Sequence, residues 1–299
     1  MKKFNIKREE INIRDPFILT LEGEYLMTGT IYILGKKQGI YGYFSEDLEH
    51  FSEPVLLFDP PEGFWGDRDF WAPEIHSYQG RYYMFASFRS PERRRATQVL
   101  ASEKPEGPYY PISEEPHTPK QWHCLDGTLF VDEKGDPWMI YVREYVQMVD
   151  GEMYAQRLSR DLTRLEGEPR WLFCATYAPW CVTANEGGMP LHNNGYITDG
   201  PFLFRLPDGG LGMLWSSFCR TGYCQAVCYS ESGQLFGPWK QMDQPLYEHD
   251  SGHGMLFAAL DGKLMLALHD HNSGEEGSRP VFLPVEMTGN RLVIKEEAK

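Results

Sequence analysis

The sequence predicts an all-β protein, a single five-bladed β-propeller with four antiparallel strands per blade. Three observations carry that prediction. One short pattern recurs five times: an acidic or histidine head beside Gly or Pro, an apolar strand, a Gly-containing turn and a second apolar strand. The heads fall at Asp15, Glu74, Asp126, Asp199 and His253, at near-equal spacing that takes up residues 1–299 and leaves little for another domain. No stretch keeps a 3.6-residue apolar period, so helix is expected only as short pieces in loops. Repeats of this length imply a solenoid or a propeller, and a unit made only of strands closes best as a ring.

The copies follow one another in order. The first runs from Asp15 through apolar residues 17–19, turns at Gly23 and returns through residues 25–27. The second runs from Glu74, turns at Gly80 and returns through residues 81–84. In the third, Asp126 leads to a turn at Gly135 and the strand 138–140. The fourth runs from Asp199 to the Asp208-Gly209 turn and residues 211–214, and the fifth from His253 to Asp261-Gly262 and residues 263–266. Outer strands follow each pair. Four of them end in serine before a polar turn (Ser45, Ser102, Ser159 and Ser230), while the fifth copy is degenerate, as terminal repeats often are. Two loops stand out. Residues 165–197 hold Trp171, Tyr177, Trp180 and Glu186, and residues 63–71 precede the second head. Long loops in compact domains are often binding loops, or else close the ring.

Composition excludes some function classes. The net charge of −14 lacks the basic footprint needed to neutralise phosphates, which argues against a nucleic-acid partner. No apolar run approaches the roughly 20 residues that span a bilayer. The N-terminal residues have no apolar signal region, and the six cysteines contain no C-x-x-C pair, so a reduced, cytoplasmic protein with free thiols is expected. Aromatic residues make up 14% of the chain, enough to supply sugar-stacking platforms as well as strand packing.

Five polar heads at the mouth of one channel, four of them carboxylates, suggest acid–base chemistry. Buried carboxylates close together raise one another's pKa, which separates an ionised base from a protonated acid. Glycoside hydrolysis needs such a pair flanking the scissile bond. The alternative is that Asp and Gly merely start strands, since both favour turns.

Five ordered motifs carry a family likeness: Arg14-Asp15-Pro16-Phe17, Trp71-Ala72-Pro73-Glu74, Leu125-Asp126-Gly127-Thr128, Asp199-Gly200-Pro201-Phe202 and Gly252-His253-Gly254. Together they span nearly the whole chain, which resembles glycoside hydrolase family 43. The resemblance implies a five-bladed propeller that inverts configuration while hydrolysing α-L-arabinofuranosides or β-D-xylosides. It implies Asp15 as general base, Asp126 as the residue that tunes and orients the acid, and the acid at Asp199. The family's usual Glu-Gly-Pro is Asp199-Gly200-Pro201 here, so Glu186 in the long loop is a second acid candidate.

The resemblance also places Trp71 against the scissile sugar. Arg14 is then a substrate ligand or a charge partner for the carboxylates, Glu74 a sugar ligand or structural, and Trp215 a sugar platform or core. It further implies a calcium or sodium ion near the axis with His253 as neighbour, and no organic cofactor. The expected partner is an oligosaccharide, and the sequence leaves the oligomeric state open. A carbohydrate-binding propeller without hydrolysis is the second reading, motivated by Asp199. A protein-interaction propeller is the third, although such a scaffold needs no aligned acidic heads.

Overall fold

The computed structural model describes residues 2–31, 33, 35–272 and 277–295. It is nearly all β, and five antiparallel sheets are arranged as the blades of a propeller. The first strand of each blade lines the axis: Ile13–Thr20, Arg68–Tyr78, Cys124–Val131, Asp199–Arg205 and Gly252–Ala258. Later strands step outward in chain order. Blade 1 is larger than expected, because Phe4–Lys7 pairs with His50–Ser52 and Val55–Phe58 pairs with Ile40–Ser45. The one α-helical piece among the described residues is the single turn Tyr145–Met148.

Leu165–Cys174 is the fourth strand of blade 3, paired with Glu152–Leu158 with two register shifts, so the long loop begins only at residue 175. The second loop is likewise shorter than expected, since Arg68 already starts the first strand of blade 2.

The serines that end outer strands have a specific task. Ser45 Oγ accepts the Leu48 N–H at 2.8 Å and donates to the His50 carbonyl at 2.7 Å. Ser159 Oγ donates to Asp161, and Ser230 Oγ to the Gln234 carbonyl, both at 2.6 Å. Short polar side chains that satisfy a turn's own backbone are what make these turns recur.

The core lies in the seams between blades, where neighbouring sheets bury their facing residues. Phe58, Phe88, Leu100 and Tyr109 belong to the seam of blades 1 and 2, and Phe85, Val99, Tyr141 and Tyr154 to that of blades 2 and 3. Ile140, Phe173, Trp215 and Trp239 pack blade 3 on blade 4, and Leu214, Val227, Leu268 and Leu292 pack blade 4 on blade 5. The ring closes by the same kind of packing, with Ile13, Phe17 and Phe51 against Met255, Phe257 and Ala267. Ile13 N–H also bonds the Ser278 carbonyl across that seam at 3.1 Å. All six cysteines are unpaired.

Candidate active site

Equivalent places around the axis are set by the backbone. Each first strand has a left-handed residue at its bulge: Asp15 (φ 54°), Ala72 (43°), Asp126 (51°), Gly200 (52°) and His253 (54°), and blade 2 has a second one at Asp69 (56°). At each of them the pairing with the second strand slips, which is a β-bulge. Bulges re-aim side chains and cluster next to active sites. The following residue is Pro or Gly in all five blades: Pro16, Pro73, Gly127, Pro201 and Gly254.

This alignment corrects the expected register. Asp15, Asp126 and His253 are equivalent, whereas Asp199 precedes its bulge by one residue and Glu74 follows its own by two. Ala72 and Gly200 hold the other two head positions. Gly200 is required there, because a Cβ would lie 2.7 Å from His253 Cδ2. Aligning on the Pro or Gly after the head, rather than on charge, is the sequence signal that finds the true register.

Asp15, Asp126, Asp199 and His253 meet in one cavity of about 210 Å³, with Arg14, Trp71, Tyr223 and His269 in its wall. His253 Nδ1 is 3.1 Å from Asp15 Oδ1 and 3.8 Å from Asp126 Oδ2. Burial disfavours its charge, but Asp15 and Asp126 outweigh that and push its pKa up to about 10. It is an imidazolium at neutral pH. Burial also opposes ionisation of Asp15, yet the His253 charge and the Thr30 hydroxyl, which donates to Oδ2 at 2.6 Å, hold Asp15 well below the usual carboxylate range. His269 is driven down to about 4, by burial above all. Its neutral ring accepts the Asp15 N–H on Nδ1 at 3.1 Å and donates from Nε2 to Asn272 Oδ1 at 3.0 Å.

The other two carboxyls move the opposite way. Burial raises Asp126 well above its ordinary value, and the Asp199 and Asp15 charges add to this while His253 opposes it. Asp126 Oδ2 accepts the Gly200 N–H at 3.0 Å. Asp199 is pushed up to about 6 by burial, against the pull of His253 and of Tyr223 OH, which donates to its Oδ2 at 2.9 Å. Tyr223 stands on Gly222–Ser230 and stacks on His269, with ring centroids 5.6 Å apart. The pocket therefore separates an ionised Asp15 from a coupled pair that keeps a proton into the weakly acidic range.

A second cavity of about 260 Å³ shares Asp199 but contains neither Asp15 nor Asp126. Met189, Leu191 and Ile197 of the long loop form part of its wall. Packing of the loop residues Val182, Ala184 and Ile197 against Phe218 and Tyr223 holds that loop down. Arg95 lies 4.1 Å from the Trp71 ring and bonds Asp69 Oδ2 at 2.8 Å and Glu144. Burial raises the Glu144 carboxyl, with Arg95 opposing. Trp71 and Arg14 line both cavities, and Arg14 also donates to the Asn272 carbonyl.

Three expected site residues lie elsewhere. Trp215 is fully buried in the seam of blades 3 and 4, stacked on Trp180 and bonded through Nε1 to Gln241 Oε1 at 3.0 Å; it is core. Glu186 is exposed and folds back on its own turn, accepting from Thr183 Oγ1 at 3.0 Å, so it lines neither cavity. Glu74 is buried one layer below the heads, bonded to Thr128 Oγ1 at 2.5 Å and His76 Nε2 at 2.9 Å, and is structural.

The expected ion needs a donor set. Among the described residues no three His, Cys, Asp or Glu side chains are grouped to hold a metal, and His253 Nδ1 is committed to Asp15. The described residues do not by themselves form a cage for calcium or sodium. The residues that sequence reasoning missed are Thr30, Arg95, Glu144 and Tyr223, each on or adjoining a second or third strand, outside the head motifs; His269 lies near the fifth head in sequence, but its bond to Asp15 shows only in the fold.

Tyr223 yields a first prediction. Its hydrogen bond favours ionised Asp199, so Tyr223→Phe should raise the pKa of Asp199. If protonated Asp199 is the working form, kcat/KM of the parent falls as pH rises through about 6. In Tyr223→Phe that alkaline limb should move upward by about one pH unit. A limb that stays in place, measured over pH 4 to 9, removes Tyr223 from the site.

Comparison with known proteins agrees with this geometry. The family model for glycosyl hydrolases family 43 matches residues 10–289. An endo-arabinase structure from Bacteroides thetaiotaomicron is 38% identical, with a TM-score of 0.88 over 97% of this chain and 100% of that one. Xylosidase/arabinosidase 43A of Humicola insolens is 32% identical over 77 residues, 26% of this chain and 23% of that protein. An extracellular endo-α-(1→5)-L-arabinanase of Thermotoga petrophila is 24% identical over 287 residues, 85% of this chain and 56% of that protein. The chain thus matches about a quarter and about half of the lengths of these two curated relatives. With a model match over nearly its full length and a 38% identical structure superposing end to end, the chain belongs to glycosyl hydrolases family 43.

Proposed function

We propose that this protein is an inverting glycoside hydrolase acting on arabinose- or xylose-containing oligosaccharides, of the α-L-arabinofuranosidase or β-xylosidase type. One observation carries the reading: one buried and two partly buried carboxyls of unequal proton affinity gather around a single imidazolium in a sugar-sized cavity. Asp15 is the general base. Its carboxylate takes a proton from water as the water oxygen bonds the anomeric carbon. Asp199 gives its proton to the departing glycosidic oxygen as that bond breaks, which leaves Asp199 ionised and Asp15 protonated. Burial and the Asp15 charge keep the proton affinity of Asp199 high, Asp126 orients the acid, and His253 limits the repulsion among the three. The departing sugar occupies the second cavity, which shares the acid but not the base. Trp71, held by Arg95, stands in the wall between the two.

The test separates bond cleavage from binding. Asp199→Ala should cripple hydrolysis of natural disaccharides by about 10²–10⁴-fold. Aryl glycosides with good leaving groups should suffer far less, because these leave without protonation. Glu186→Ala should change neither class, since that carboxylate is exposed on its own turn. A leaving-group-independent loss in Asp199→Ala would reject Asp199 as the acid. Sugar binding by the parent without turnover of any glycoside would select the carbohydrate-binding reading that the Asp199-Gly200-Pro201 departure suggests.

A further inference from the structure

A bulge residue's N–H leaves its own ladder and needs another acceptor. In four seams the acceptor is a side chain on the second strand of the preceding blade. Thr30 Oγ1 accepts Ala72 N–H at 2.8 Å, and Ser87 Oγ accepts Asp126 N–H at 3.0 Å. Ser216 Oγ accepts His253 N–H at 2.7 Å, and His269 Nδ1 accepts Asp15 N–H at 3.1 Å. These four side chains hold one register position, opposite the residue before their own blade's head: Arg14 faces Thr30, Trp71 faces Ser87, Asp199 faces Ser216 and Gly252 faces His269.

The next residue round the ring obeys the same accounting. The N–H groups of Gly127 and Gly254 go to Thr97 Oγ1 at 3.1 Å and Gln225 Oε1 at 2.6 Å, while Pro16, Pro73 and Pro201 have no N–H to place.

Blade 3 breaks the rule. There Leu125 faces Val142, which is fully buried and offers no acceptor. The N–H left over is that of Gly200, and Asp126 Oδ2 accepts it. We infer that Val142 is a positioning residue for Asp126: by withholding an acceptor from Gly200, it makes the catalytic carboxylate the acceptor and pins it between His253 and Asp199. The effect on rate rests on the proposed role of Asp126, whereas the effect on its carboxyl does not.

The physical consequence follows from the bond. A backbone N–H donated to a carboxylate is a strong, directional, charge-assisted contact that favours the ionised form. Asp126 also faces His253 from blade 5, Asp199 from blade 4 and Asp15 from blade 1, with the Arg95 charge behind. The Gly200 N–H is the one backbone donor among these influences, and it fixes which oxygen points toward Asp199.

Val142→Thr puts a hydroxyl where three of the other blades have one, and Val142→Ala removes bulk without adding an acceptor. Carboxyl ¹³C titration of the aspartate-labelled protein reads Asp126 directly. The threonine variant should raise its midpoint by about one pH unit and lower kcat/KM about tenfold with a displaced pH profile. The alanine variant should lose thermal stability but keep the parental midpoint and profile. Val142→Ser serves if the threonine variant does not fold. A parental Asp126 midpoint in the hydroxyl variant, or an equal shift in the alanine variant, overturns the inference. A parent that hydrolyses no glycoside would defeat the proposed function while leaving the titration to decide this point.

Discussion

Asp15→Asn should abolish turnover while leaving sugar binding within a few-fold of the parent. The amide keeps the size of the side chain and its contact with Thr30, but it takes no proton from water. General base catalysis is worth about 10²–10⁴-fold, and the loss should reach the upper end because the cavity has no second ionised carboxylate in the same place. Asp126 and Asp199 are both raised, and the Thr30 hydroxyl bonds Asp15. Initial rates on an aryl arabinofuranoside and an aryl xyloside, with calorimetric titration of the product sugar, give both halves of the result. Parental rates in the purified variant would remove Asp15 from the mechanism, and loss of binding together with rate would make it a substrate ligand instead.

The second large effect concerns the charge at the centre. His253→Leu leaves Asp15, Asp126 and Asp199 buried without their shared cation. Removing one partner of a buried ion pair typically costs about 3–5 kcal/mol, because the remaining charge stays desolvated. The sign with pH is defined. The His253 pKa rises from 6.5 unfolded to about 10 folded, so its stabilisation is complete below about 6.5 and is lost as pH rises through about 10. Asp15 is the mirror case: it is depressed in the fold, so its contribution is present above its unfolded value of 3.8 and fades as pH falls further. The parent should therefore lose stability steeply at alkaline pH. The leucine variant should be weak from neutrality upward and recover toward pH 4, as the uncompensated carboxyls take up protons. Urea unfolding at pH 4, 7 and 9.5 tests this. Equal stability of the two proteins at pH 7 would mean that the central charges are not coupled as described.

Much of the molecule was legible before its structure was known. The five periods, the strands, the turn serines and the seam-forming apolar residues follow from local pattern, since a two-residue period and Gly or Asp at turns need only neighbours in sequence. Asp15, Asp126, Asp199 and Trp71, which line one cavity, were read from contiguous motifs in repeated positions. The partners that tune them were not. His269 bonds a residue 254 positions away, and Tyr223 reaches Asp199 from a third strand. No window of sequence contains such a pair. Val142 is harder still to see, because its part in the ring is the lack of an acceptor at a place where the other blades have one.

The sequence by itself determined the architecture and the chemical inventory: five strand-only repeats, an excess of acidic heads, and a carboxylate shorter by one methylene at the acid position. Tertiary structure alone decided which of those heads meet in one cavity. A left-handed residue at the bulge of each first strand sets the direction of its side chain, and the sign of φ at Asp15, Asp126 and His253 brings them to one point. Glu74, two residues past its bulge, falls into the packed layer below, and Trp215, on a second strand, falls into a seam. Charge and residue type are local properties, whereas direction and proton affinity depend on what the closed ring places opposite each group.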